Sequence, residues 1–113
     1  MTDADPRKRL RMLEKMIAGG SRDPFVRYAR ALELRGLGEL DQALSALSEV
    51  RDLHPEYVPT FLMAGQIAID LAKNAAARDW LQAGVALAAR VGDEHARSEL
   101  QSALDGLVAD FPS

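Results

Sequence analysis

The chain has 113 residues, no cysteine, 48% hydrophobic residues and a formal net charge of −3 at pH 7. A chain of this length is expected to form one domain, residues 1–113, burying roughly two thirds of its unfolded surface, so folding requires neither disulfides nor a structural metal. Without cysteine there is no thiolate metal site and no cysteine nucleophile, no run approaches the ~20 apolar residues of a membrane span, and MTDADPRKRLRMLEKM puts charges where a secretion signal needs an apolar core. These features point to the cytoplasm.

In chain order, Asp5 and Pro6 are a cap and a first-turn proline that predict a helix over 6–18, stopped by Gly19 and Gly20. Leu10, Leu13 and Ile17 share one face of it, while Arg7, Lys8, Arg9 and Arg11 crowd the other, so this helix needs an apolar partner to pack on. Asp23 and Pro24 repeat the device and open a helix over 24–36; Gly36 and Gly38 break it, and a second helix over 40–53 is closed by Pro55. A further pair is predicted over 58–72 and 75–90, with Pro59 in the opening turn of the first and Asn74 capping the second. Asp93 starts a last helix over 93–109, with Ala96, Leu100, Ala103, Leu104, Leu107 and Val108 on its apolar face and Arg97, Ser98, Gln101 and Asp105 toward water. Residues 109–113 read as a short tail in which Phe111 can fold back. No strand pattern occurs, so the chain is all-α with about six helices.

A shift of thirty-four residues superimposes the two central helix pairs. Small residues return in place, Ala31 as Gly65, Gly38 as Ala72 and Ala43 as Ala77, and so do Leu37, Leu47 and Leu53 as Leu71, Leu81 and Leu87. A residue without bulk lets neighbouring helix backbones come close enough for larger side chains to interlock.

Thirty-four residues is the period of the tetratricopeptide repeat, a helix-turn-helix unit, and the chain resembles that family over about residues 24–91. Phe61, Ala64, Gly65 and Ala68 stand where the family has Trp, Leu, Gly and Tyr, and Ala77 and Leu81 where it has Ala and Phe; in the first unit Ala31, Leu34, Ala43, Leu47 and Pro55 fit. Gly38 to Ala43 resembles the family's turn into its second helix. Arg27 and Arg30 depart from the pattern, at places usually bulky or apolar, as does Ala89, where a closing Pro is usual. The resemblance implies a right-handed helix-turn-helix stack: repeat 1 over 24–57, repeat 2 over 58–91, a packing helix before them at 6–18 and a capping helix after them at 93–109.

It also implies a function. First helices of successive repeats in this family line a concave groove that holds a peptide or helix of another protein. The matching places are Phe25, Tyr28, Leu32, Arg35 and Gly36 in the first unit and Pro59, Leu62, Gln66, Ile69 and Asp70 in the second. Helical spacing independently puts Phe25, Tyr28 and Leu32 on one face, and Leu62 with Ile69 on another, apart from Ala31 and Gly65. Lys and Asn, which some members use at these places to hold a C-terminal carboxylate, are missing, so the expected partner segment is mainly apolar or amphipathic, with Arg35 and Asp70 orienting it at the rim.

Other functions have thinner support. His54 and His95 are the only histidines, neither has another histidine or a cysteine at a ligand spacing, so a metal site would rest on carboxylates alone, and no Gly-rich phosphate loop exists; no catalytic residue, cofactor or metal is expected. Residues 1–35 carry nine basic and five acidic residues, a net +4, against five and twelve, a net −7, in the remainder. Arg7, Lys8, Arg9, Arg11 and Lys15, extended by Arg22, Arg27 and Arg30, offer a basic patch to nucleic acid, but no aromatic residues alternate with them for base stacking. The charge asymmetry also suits head-to-tail self-association of copies through their ends.

Overall fold

The computed structural model describes residues 5–110, and its secondary structure there is six α-helices with no strand. The chain divides into two compact units at the His54–Pro55 boundary. The first holds α1 (Lys8–Ala18), α2 (Pro24–Gly36) and α3 (Leu40–Leu53), with α2 packed against both others. The second holds α4 (Pro59–Asp70), α5 (Asn74–Val91) and α6 (Glu94–Asp110), with α5 packed against both others and α4 also touching α6. The all-α helical-repeat architecture expected from the sequence is therefore the one that forms.

Helix starts follow local chemistry. The Asp23 carboxylate accepts the Phe25 N–H at 2.9 Å, and Pro24, which has no N–H to lose, occupies the first helical position. Asp93 accepts the Ala96 N–H at 3.0 Å and caps α6 in the same way. Two of the predicted caps, Asp5 and Asn74, do not open their helices. Asp5 accepts the Arg7 N–H at 2.9 Å and, through its carbonyl, the Lys8 N–H at 3.1 Å; this turn uses up Pro6 and Arg7, and α1 begins at Lys8. Asn74 lies inside α5, because the Lys73 carbonyl already takes the first helical N–H, that of Ala77, just as Glu39 does for Ala43. Helix α6 runs through Asp110, so residues 109 and 110 are helical, while Phe111 lies outside the described residues.

Four helices end by one device. The N–H groups of Ser21, Glu39, Lys73 and Asp93 reach back to the carbonyls of Met16, Leu34, Ala68 and Ala88 at 2.8 to 3.0 Å, which requires the preceding residue to be left-handed. Gly20, Gly38 and Gly92 fill that place in α1, α2 and α5 with φ of +100°, +80° and +79°, but in α4 it falls to Ala72 with φ 59°. A Cβ in this conformation costs about 1 to 2 kcal/mol, partly offset by the smaller backbone entropy that Ala loses on folding. Ala72→Gly is therefore expected to stabilise the protein by about 1 kcal/mol and raise the melting temperature by roughly 4 to 8 °C. A melting temperature at or below wild type would show that this turn is not strained.

Three of the six thirty-four-residue correspondences lie in the cores. Ala31 and Gly65, Ala43 and Ala77, and Leu47 and Leu81 are all buried. At Gly65 the approach of α5 to α4 is so close that a Cβ would lie 2.5 Å from Leu81 Cδ2. Gly84 is crowded from two helices at once, since a Cβ there would lie 2.7 Å from both Phe61 Cβ and Leu100 Cδ2, where α4, α5 and α6 converge. Phe61 and Trp80 meet edge to face with ring centroids 5.7 Å apart, the preferred arrangement for two aromatic quadrupoles. The pair Leu53 and Leu87 splits, the first 52% exposed and the second 4%.

Candidate functional site

Helix α2 buries Val26, Ala31 and Leu34. Rotated away from these, Phe25, Tyr28, Leu32 and Arg35 follow one another at i, i+3, i+7 and i+10 on a second side of the helix. Phe25, fixed in the first turn by the Asp23 cap, is 56% exposed; Tyr28, Leu32 and Arg35 are half-buried and Gly36 is exposed. In the second unit α4 buries Thr60, Phe61, Ala64, Gly65, Ile67 and Ala68, and Leu62, Gln66 and Ile69 lie half-buried on the opposite side with Asp70 and Pro59 exposed. Helix α4 is thus apolar on both sides, which its own core does not require. Each set of expected contact residues is gathered on one side of one helix.

One cluster escaped sequence reasoning. Arg27 and Arg30 project from the core side of α2 and are held by carboxylates from both neighbouring helices. Arg27 Nη1 lies 3.0 Å from Glu49 Oε1 on α3, and Arg30 Nε lies 3.2 Å from Glu14 Oε2 on α1, with Glu49 a further 4.0 Å from Arg30. Together with Ile17 and Ala18 they line a depression of about 350 Å³. The long aliphatic stems of the arginines cover apolar surface while their guanidinium groups meet carboxylates at the edge, so charged residues serve at places usually apolar. The only sequence signal was their departure from the repeat pattern.

Arg7, Arg9 and Arg11 are similarly occupied. Arg7 pairs with Glu39, which raises the Arg7 pKa, Arg9 Nη1 lies 3.1 Å from Glu33 Oε2, and Arg11 pairs with Asp5. The Arg7 N–H, and then the Arg11 guanidinium, hold the Asp5 carboxyl below its ordinary value. At the other end, the Arg97 guanidinium 2.8 Å from Glu94 holds that carboxyl below the usual range in the first turn of α6. Five of the eight basic residues that offered a phosphate-binding patch are therefore engaged by carboxylates of the same chain, and a nucleic-acid backbone would have to displace them. His54 closes α3, and His95 stands on α6 with its side chain 87% exposed and Nε2 3.6 Å from Glu99. Among the described residues no three of His, Asp and Glu are grouped as a metal ion would need, and no helix is long and apolar enough to cross a membrane.

A tetratricopeptide repeat domain protein from Salinibacter ruber, solved in solution, is 30% identical to the chain over 80% of this chain and 92% of its own, with a TM-score of 0.77. The chain belongs to the tetratricopeptide repeat family. A protein of known structure from Bordetella parapertussis extends the likeness, at 26% identity over 96% of this chain and 91% of its own, with a TM-score of 0.79. The TPR2B domain of yeast Sti1, solved as a complex with pHsp70, shares the fold at 18% identity over 89% of this chain and 81% of its own, with a TM-score of 0.81. No protein-family model matches the chain, and no curated protein sequence does. The arginine cluster stands where this member departs from the repeat pattern.

Proposed function

We propose that this tetratricopeptide repeat chain is a non-catalytic, cytoplasmic protein-interaction module that binds a mainly apolar or amphipathic segment of another protein through the sides of α2 and α4 turned away from their buried residues. The observation that carries this reading is the apolar surplus of the first helices. Phe25 and Leu32 on α2, and Leu62 and Ile69 on α4, are apolar side chains that lie outside the buried core of each unit, Phe25 exposed and the other three half-buried. Tyr28 is suited to anchor a partner, being large, stiff and able to hydrogen-bond. Arg35 and Gln66 are half-buried and Asp70 exposed, polar groups that can orient a bound segment. The complex of the Sti1 domain with pHsp70 supports the use of this fold for binding another protein.

The test is affinity capture from nuclease-treated cell lysate with the wild type and with a Leu32→Glu, Leu62→Glu double variant shown by circular dichroism to be folded. A protein retained by the wild type and lost by the folded variant is the expected result. Equal retention by both would move the binding site away from these two faces. Salt provides a second check, because apolar contacts should survive moderate ionic strength that strips phosphate contacts from a basic helix.

A further inference from the structure

Helix α1 carries an apolar face that its own unit leaves open. Leu10 is buried, and Leu13 and Ile17 share its side, facing the packed interior of the unit, yet Met12 and Met16 are 56% and 48% exposed. The repeat register explains why they are apolar at all. Thirty-four residues on, Met12 corresponds to Ala46, Leu13 to Leu47 and Met16 to Val50, and α3 buries Ala46, Leu47 and Val50. Helix α1 is thus built as the second helix of a unit, with methionines on the side that should receive a first helix. Met12 lines a shallow depression with Lys8, Arg11, Glu14 and Lys15.

Helix α6 has the opposite character. Beyond its buried Leu100 and Leu107 it turns outward Ser98, Ser102, Asp105 and Ala109, with Glu94 and Glu99 alongside and Val108 44% exposed. Charge separates the two helices cleanly: α1 carries four basic residues and Glu14, a net +3, while α6 carries Glu94, Glu99, Asp105 and Asp110 against Arg97, a net −3.

We infer that the open face of α1 is covered by α6 of a second copy, so that copies join head to tail, Met12 and Met16 packing against the small outward residues of α6 and Lys8 and Lys15 meeting its carboxylates. Methionine is well suited to such a contact because its flexible, polarisable side chain fills an irregular surface. A helix of 11 residues is only about 16 Å long, so a contact along it falls below the roughly 1,200 Å² of a standard stable interface. The association is accordingly weak, salt-sensitive and concentration-dependent. A contact between two different faces leaves one face free at each end, so chains of copies grow unless the rotation closes a ring. This inference does not depend on what α2 and α4 bind.

Sedimentation of the full chain at low salt, up to about 1 mM so that even the weakest specific affinities register, is the test. The mass should rise above the 12.3 kDa of one chain as concentration rises and fall back as salt is added. Two variants, each confirmed folded, separate the ends: Met12→Glu with Met16→Glu blocks the head, and Ser98→Arg with Ser102→Arg blocks the tail. Each alone should stay a monomer, and an equal mixture should give a species of twice the single-chain mass and nothing larger, since one working end survives on each partner. A wild type that remains monomeric throughout, or a mixture that forms no dimer, would overturn the inference. In the first case a second copy is not what covers α1; in the second, the faces of α1 and α6 do not meet each other, and either variant dimerising alone would show instead that like ends meet like.

Discussion

Leu81→Ala is expected to destabilise the protein by about 2 to 5 kcal/mol, and in that background Gly65→Ala should change sign, from harmful to helpful. Leu81 is fully buried on α5, so its truncation loses both transfer free energy and close contacts. A Cβ built at Gly65 would sit 2.5 Å from Leu81 Cδ2 and 2.8 Å from Cγ, within the volume the leucine side chain now fills. In the wild type the added methyl overpacks this contact, at a cost of about 1 to 3 kcal/mol. Once Leu81 is alanine those two atoms are gone, and the methyl occupies part of the cavity while gaining the ~1 kcal/mol by which Ala exceeds Gly in a helix interior. Thermal or urea unfolding of the four proteins gives the coupling directly, expected at about 1 to 3 kcal/mol. Equal effects of Gly65→Ala in both backgrounds would mean that α4 and α5 do not approach each other here.

That contact was legible in the sequence because it repeats. Ala31 with Gly65 and Ala43 with Ala77 recur at a fixed interval, and small residues at fixed intervals between apolar ones mark helix crossings whatever the fold family. Helix ends were legible where a cap lies next to the turn it serves, as Asp23 and Asp93 do. They were not legible at Asn74, because the Ala72 reversal had already made Lys73 the first acceptor, and a capping residue type does not reveal which carbonyl is used first. Nor was the cluster of Arg27, Arg30, Glu14 and Glu49 visible: its ion pairs join residues 16 and 22 positions apart on different helices, and no local spacing encodes such a meeting. The side chains of α2 and α4 proposed to meet a partner were legible only as an apolar remainder, since periodicity says which residues share a face but not what covers it.

Trp80→Ala should cost about 3 to 5 kcal/mol, a large part of the roughly 5 to 15 kcal/mol available to a domain. Trp80 is 8% exposed and its ring meets the edge of Phe61, which is 3% exposed, so the substitution removes both the burial and the aromatic contact. The first unit shows what stands in their absence: thirty-four residues earlier, Phe61 corresponds to Arg27 and Trp80 to Ala46, and Arg27 turns to Glu49 instead of an aromatic partner. An alanine at 80 would leave Phe61 with neither arrangement. Trp80→Phe keeps a ring against Phe61 and should therefore cost clearly less than Trp80→Ala, while Phe61→Leu should lose about 0.5 to 1.5 kcal/mol beyond its change in buried area. Because Trp80 is the sole tryptophan, its fluorescence reports unfolding in Phe61→Leu, and circular dichroism serves for the two Trp80 variants. Melting of Trp80→Ala at the wild-type temperature would show that the second unit is not built around this pair.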